Sequence, residues 1–369
     1  MAVDVASRTV SAILAGLLDG ERLSDDDAAA LLRSRDLVAV GRAADEMRSR
    51  KSDPDEVTFI VDRNINYTNV CITDCDFCAF YRRPGDTREG YVLPKPVIHK
   101  KIEETLALGG TAVLMQGGHH PDLGIEWYED LFSGIKSRYT IHLHALSPPE
   151  IQHISRRSKL TIAETLSRLR DSGLDSLPGG GGEVLVDRVR KIIAPKKTKT
   201  ADWLGVMREA HRLGMSTTAT MMYGHVETLE ERVEHMRRIR DLQDEMHGFR
   251  AFISWTFQPD NTRLGQQVKE TPTSFDYLLT QAVSRLYLDN VDHIQSSWVT
   301  QGLKIGQVAL HFGADDMGSI MIEENVVSAA GTTYCASVDD FCRLIRAAGK
   351  RPVQRDTLYR RVKAYDELP

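Results

Sequence analysis

A chain of 369 residues accommodates one large domain or two ordinary ones, and α/β barrels use about 200–250 residues as a single domain. Its 41% hydrophobic content supports a large core, and its net charge of −5 argues against a general nucleic-acid binder, which must neutralise phosphates. Five cysteines give no disulfide framework, and no apolar run reaches the roughly 18 residues needed to span a membrane.

The first fifty residues read as helices. Residues 10–18 have the apolar character of a signal-peptide core. They lead into Asp-Gly-Glu-Arg with no small-residue cleavage site, so they read as a helix. Ser24 followed by Asp27 predicts an N-terminal cap before a second helix at 28–32. A third helix covers about 36–50 and stops at Asp53-Pro54, because the residue before proline is pushed out of the helical region. This predicts a helical N-terminal extension, 1–53, in front of a body at 54–369.

From residue 57 the pattern alternates. Strands are predicted at 57–61, 111–115, 139–145, 174–177, 216–222, 250–257, 293–299 and 309–312. Helices are predicted between them at 96–108, 125–136, 161–171, 186–192 with 203–213, 229–244, 274–288 and 303–308, with a last helix at 338–348. Such alternation indicates a parallel sheet, and these units predict a closed (β/α)8 TIM-type barrel. An open doubly wound sheet is the alternative, but no dinucleotide fingerprint follows the first strand.

The loop after the first strand holds Cys71, Cys75 and Cys78 in a Cys-x3-Cys-x2-Cys run. Thiolates select zinc, Cu(I) or iron–sulfur clusters. A structural zinc site wants a fourth ligand at short spacing, and the next candidates are His99 and His119. A [4Fe–4S] cluster ordinarily takes four cysteines, so three leave one iron for another ligand. An irregular zinc site and three unrelated core cysteines remain the alternatives. Thiols free to hold a cluster imply a reducing, cytoplasmic setting. Cys335 and Cys342 read as small buried hydrophobes.

In a barrel the active site lies at the C-terminal ends of the strands. Gln116-Gly117-Gly118-His119-His120 follows the second strand and Pro178-Gly179-Gly180-Gly181-Gly182-Glu183 the fourth. No Gly-Lys-Ser/Thr follows the second of these loops, so it is not a nucleotide-phosphate loop. On the third strand His142 and His144 share one face, which points to the lumen. His144, nearer the strand end, is the candidate for substrate contact, with a hydrogen-bonded structural role as the alternative. Tyr223, His225, Gln258, Gln295, Ser297 and Trp298 add polar or aromatic strand ends. The Lys196-Lys197 pair reads as solvated charge.

Cys-x3-Cys-x-aromatic-Cys resembles the cluster loop of radical S-adenosylmethionine (SAM) enzymes. The likeness extends over about 8–350, through the 61–71 lead-in, Phe77-Cys78-Ala79-Phe80-Tyr81-Arg82, 116–123 and 144–150. These segments resemble the futalosine-pathway branch of menaquinone biosynthesis. The Asn-Ile-Asn-Tyr-Thr-Asn lead-in and the four-glycine loop favour its cyclase over aminofutalosine synthase and over the cousins that build a deazaflavin chromophore.

The resemblance implies that Cys71, Cys75 and Cys78 ligate a [4Fe–4S] cluster whose open iron is chelated by SAM, which is consumed. It implies that Phe77, Gly117, Gly118 and Glu183 line the cofactor site, although a helix-start role for Glu183 stays open. His119 stands where the family carries glutamate. A side chain at Gly118 is expected to crowd the methionine moiety and leave the cluster intact. The implied substrate is a nucleoside-derived small molecule with a benzoate ring. A 5′-deoxyadenosyl radical takes hydrogen from its ribose C4′, the carbon radical closes onto the ring, and loss of an electron and a proton completes the product. His144 is expected to contact substrate or assist that proton transfer, and Arg82 to meet the carboxylate. A flavodoxin or ferredoxin is the implied electron donor, with no nucleic acid and no membrane span.

Overall fold

A computed structural model describes residues 8–332 and 334–366. Residues 1–7 of the expected extension and 367–369 of the body lie outside the described residues.

Three helices open the chain: α1 (Val10–Leu18), α2 (Asp25–Leu32) and α3 (Leu37–Ser49). Ser24 caps α2 by accepting from the Asp27 amide at 3.1 Å, as its sequence signature predicts. Ile13, Leu17, Leu31 and Val40 are buried in one core with residues of the main body.

The body alternates strands and helices. It runs β1 (Glu56–Ile60), β2 (Asp62–Ile65), α4 (Lys95–Ala107), β3 (Ala112–Met115), α5 (Ile125–Lys136), β4 (His142–Ala145), α6 (Pro148–Ser158) and α7 (Ile162–Asp171). It continues with β5 (Ser176–Leu177), α8 (Asp187–Ile193), α9 (Thr200–Arg212), β6 (Ser216–Tyr223), α10 (Leu229–Met246), β7 (Phe249–Thr256) and α11 (Ser274–Tyr287). The last elements are β8 (His293–Gln295), α12 (Trp298–Val308), β9 (Asp316–Ser319), α13 (Val338–Ala347), β10 (Arg351–Arg355) and β11 (Arg361–Ala364). Capping boxes start α7, α10, α11 and α13, each satisfying two backbone donors that the first turn leaves open.

The closed eight-stranded barrel does not form. Among the described residues one open sheet has eleven strands in the order β11-β10-β1-β9-β8-β7-β6-β5-β4-β3-β2, with β2 and β11 at its edges. Every pair is parallel except β10 with β11. The segment breaks at Val61, where the expected first strand ends and a separate strand, β2, begins. Residues before it pair with β9 and β10, and residues after it pair with β3. The curled sheet is therefore a partial barrel, extended beyond β1 by a hairpin. The strand expected at 309–312 is a short 3-10 turn, and the true strand is β9.

Side-chain alternation separates core from lumen. On β6, Ala219 and Met221 are fully buried in the core, while Thr218 and Thr220 face a central cavity. On β4, Leu143 and Ala145 take the core side and His144 the cavity side.

Candidate active site at the strand ends

The residues before the thiols pin the loop that carries them. Thr68 Oγ1 donates to the Tyr91 carbonyl at 2.6 Å, and Asn69 both donates to the Glu89 carbonyl and accepts from the Tyr91 amide, each at 2.9 Å. Cys71 N donates to Arg82 O at 2.9 Å and Ile72 N to His119 O at 3.1 Å. Asp74 turns the chain with φ +54°, a conformation aspartate tolerates. Arg263 then ties the loop down through Asp74 (2.8 Å) and Asp76 (2.6 Å).

The thiol environment fits a cluster. Burial pushes the Cys75 and Cys78 thiols up, and the three sulfurs lie close enough to oppose one another's ionisation. Backbone amides nevertheless point at sulfur: Thr73 N reaches Cys71 Sγ at 3.4 Å, and those of Phe80 and Tyr81 favour a Cys78 thiolate. Thiolates in such a place need metal charge to compensate them. Among the described residues no three His, Cys, Asp or Glu groups converge as one metal ion requires, whereas a cluster distributes its ligands over separate irons. Arg82 does not stand free for a carboxylate. It pairs with Glu89 at 2.5 Å and donates to the carbonyls of Ala79, Phe80 and Tyr81 at 3.0–3.2 Å.

The glycine turn is clamped between this loop and Glu150, a buried carboxylate at the start of α6. Glu150 accepts from Gly117 N (3.0 Å), Tyr67 OH (2.7 Å) and Ser147 Oγ (2.5 Å), and burial still lifts it to about 7. A Cβ on Gly117 would meet the Tyr67 ring at 2.6 Å. One on Gly118 would meet the Val70 carbonyl oxygen at 2.3 Å and Cys71 Cβ at 3.0 Å. A side chain at Gly118 therefore strikes the cysteine loop itself, contrary to the expectation that the cluster would be spared. His119 bonds Thr73 Oγ1 at 2.8 Å, stacks on His153 at 5.2 Å and lines a groove separate from the lumen cavity.

Glu183, at φ +31° and 6% exposed, is paired rather than free. Lys197 Nζ lies 2.7 Å from its Oε1 and 5.0 Å from the centre of the Phe77 ring. Arg190 sits 3.5 Å from Oε2 and donates to the carbonyls of Gly181 and Gly182 at 3.1 and 3.0 Å, fixing the four-glycine loop. Lys197 is thus not solvated charge: 13% of its side chain is exposed, and its field favours ionisation of Cys75.

A cavity of about 300 Å³ occupies the lumen. His144, Glu183 and Gln116 line it, with Gln295, Ser297 and Trp298; Tyr223, His225 and Gln258 do not. The thiols, Phe77, Gly117 and Gly118 lie outside its wall and join it through Glu183 and Gln116. His144 Nδ1 and His142 Nε2 share the Ser176 hydroxyl at 2.6 and 2.7 Å. Burial and the neighbouring His142 lower His144 to about 3, so it stays neutral.

Sequence reasoning missed four wall or support residues: Asp62, Glu150, Lys197 and Arg355. Glu150 carried a readable signal, because Ser147 followed by prolines and Glu150 is a helix start. Arg355 is held by both oxygens of Asp316 at 2.7 and 2.9 Å and packs on Tyr359 at 3.9 Å. It comes from a charged segment with no strand pattern.

Comparison with known proteins agrees with this geometry. The description "Radical SAM superfamily" matches residues 65–239, and "CofH/MqnC C-terminal region" matches 246–367. The chain is 46% identical over 360 residues to a cyclic dehypoxanthine futalosine synthase from Halalkalibacterium halodurans, covering 97% of this chain and 96% of that protein. It is 42% identical over 328 residues to a 5-amino-6-(D-ribitylamino)uracil–L-tyrosine 4-hydroxyphenyl transferase from Methanococcoides burtonii, covering 87% and 90%. The fold is similar to that of the FeFe-hydrogenase maturase HydG from Carboxydothermus hydrogenoformans, with TM-score 0.75 at 16% identity, covering 95% and 80%.

Proposed function

The chain belongs to the radical SAM superfamily and is closely related to the cyclic dehypoxanthine futalosine synthases, and on that premise we propose that it is a radical SAM cyclase of menaquinone biosynthesis. Its reaction converts dehypoxanthine futalosine to cyclic dehypoxanthinyl futalosine. The observation that carries the reading is the match along 97% of the chain to a relative of that name.

Cys71, Cys75 and Cys78 hold three irons of a [4Fe–4S] cluster, leaving the fourth open to SAM. The chemistry supplied when both are bound is one-electron cleavage of SAM to methionine and a 5′-deoxyadenosyl radical that takes hydrogen from the ribose C4′. The protein binds, orients and excludes water. Gly117 offers its carbonyl, which has no donor among the described residues, to the SAM ammonium. Phe77 and the Glu183–Lys197 pair flank the cofactor beside Cys75. His144 keeps Nδ1 on Ser176 and presents its other nitrogen to substrate in the cavity.

The electron donor is a flavodoxin or ferredoxin. It meets the protein at a groove of about 620 Å³ beside the cysteine loop, where Arg156, Arg157, Lys159 and Lys196 surround Ile72 and Thr73. Within the proposed 1–53 extension, the described helices α1–α3 pack onto the body and share its outer core. No described helix is long and apolar enough to cross a membrane, and the thiol loop suits the reducing cytoplasm.

The test uses reconstituted protein, SAM, reductant and substrate deuterated at C4′. Deuterium appears in 5′-deoxyadenosine and one cyclic product forms. Untouched substrate, or 3-[(1-carboxyvinyl)oxy]benzoate joined to adenosine instead, refutes the reading in favour of the sister synthase.

A further inference from the structure

Two carboxylates line the lumen cavity, Asp62 and Glu183. Glu183 is neutralised by Lys197. Asp62 has no cation at ion-pair distance among the described residues, because neighbouring Arg355 is held by Asp316. One donor, Ser319 Oγ, reaches Asp62 Oδ1. Its Oδ2 has no partner among the described residues and is not sealed in, so it opens on the cavity. Asp62 is thus an unpaired base on the wall that faces substrate.

We propose that Asp62 is the catalytic residue that takes the proton when the cyclised ring regains aromaticity. The proposal rests on the cyclase reading. Once the new bond joins C4′ to the ring, the attacked ring carbon carries both that bond and a hydrogen, and the ring holds one unpaired electron. The C–H bond breaks and its proton goes to Asp62 Oδ2. The C–H electron pair stays in the ring, giving an aromatic radical anion. One electron then leaves to a one-electron acceptor, an oxidised iron–sulfur centre, and the ring is closed-shell.

The surroundings select Asp62 over His144. To accept the proton His144 would become a buried cation beside His142, with Arg355 also opposing it. Asp62 instead discharges a buried anion, which low dielectric favours. Burial and the charge of Asp316 raise it to about 6, against the opposing pull of Ser319 and Arg355. A general base works best with an affinity near the operating pH. Besides Asp62, the titratable groups on the cavity wall are His144, Glu183, Arg355 and Tyr359, and Asp316 lies buried against Arg355.

The experiment compares wild type, Asp62→Asn and Asp62→Glu with C4′-deuterated substrate. In Asp62→Asn, deuterium still enters 5′-deoxyadenosine while cyclic product falls at least ~100-fold, the lower range for a lost general base. Asp62→Glu restores part of the product. The wild-type acid limb of product formation, centred near pH 6 as the carboxyl's affinity sets it, disappears in Asp62→Asn. Substrate affinity measured without SAM and the melting profile confirm that the variants are folded and bind. Cyclic product from Asp62→Asn at the wild-type rate and with the same acid limb overturns the proposal. Loss of deuterium transfer together with product also overturns it, because Asp62 then only positions substrate. Wild type that never labels 5′-deoxyadenosine counts against the cyclase reading instead.

Discussion

Replacing Asp62 by asparagine makes a prediction about stability whose size follows from the cavity. Burial raises this carboxyl from the ordinary 3.8 to about 6. A carboxyl raised on folding is tolerated while neutral, so nothing is lost below the unfolded value. Stability falls as pH climbs, and the full loss is reached once pH passes the folded value. The gap between 3.8 and about 6 corresponds to up to about 3 kcal/mol at about pH 8 and about 1.6 kcal/mol at about pH 5. Asparagine carries no charge and removes that cost. For 369 residues the entropy of unfolding is of order 0.8 kcal/mol per degree, so the variant melts about 4 °C above wild type at the higher pH and about 2 °C above it at the lower. Differential scanning calorimetry under anaerobic conditions reads both. A variant that melts at or below wild type at both pH values, or an advantage that does not grow with pH, refutes the claim that Asp62 is an uncompensated carboxylate.

Four further outcomes follow from the site. Cys75→Ala loses most bound iron and all SAM cleavage, whereas Cys335→Ala and Cys342→Ala retain both by iron assay and 5′-deoxyadenosine release. Gly118→Ala lowers iron content as well as SAM affinity, because its Cβ falls 2.3 Å from the Val70 carbonyl oxygen; iron content unchanged from wild type contradicts that contact. Lys197→Met leaves Glu183 only the 3.5 Å contact of Arg190 and costs up to about 3 kcal/mol in denaturant unfolding, while adding Glu183→Leu recovers much of it. Reversing Arg156 and Arg157 to glutamate slows SAM cleavage driven by flavodoxin at least ~10-fold at low salt but leaves dithionite-driven cleavage unchanged; equal slowing with both reductants removes the docking groove.

The parts of this protein legible in the sequence are those set by local spacing. The cysteine run, the Gly117-Gly118 turn, the Ser24 cap and the alternation of His142 and His144 each need only a few neighbouring residues; Ser24 does cap its helix and His144 does reach the cavity, whereas His142 is not on the cavity wall. The sheet's closure was not legible, because the break between β1 and β2 and their different partners are set by pairing with strands distant in sequence. β9 escaped notice since Asp-Met-Gly-Ser has no apolar alternation: Asp316 points at Arg355 and Ser319 at Asp62. β10 and β11 escaped for the same reason, their arginines being partnered across the fold with Glu56, Asp316 and Asp53. Lys197 looked like half of a solvated pair, and only tertiary folding buries it against Phe77 and Glu183.

The placement of charge matches what the proposed reaction demands. Hydrogen abstraction and ring closure by a carbon radical create no net charge, so the middle of the cavity needs shape more than field. It is lined accordingly by neutral groups: Gln116, Thr218, Thr220, Trp255 and an uncharged His144. Charge moves only where electrons enter and leave and where a proton leaves. The ionised side chains sit at those two ends, Lys197 with Glu183 beside the thiols, and Asp62 with the Arg355–Asp316 pair on the lumen wall. A pre-set dipole acts without reorganising during the step. Arg355 supports this division, because its bidentate ion pair with Asp316 keeps a cation near Asp62 without neutralising it. Freeing that arginine by Asp316→Asn would turn it toward Asp62, lower the carboxyl's proton affinity and shift the acid limb of product formation to lower pH.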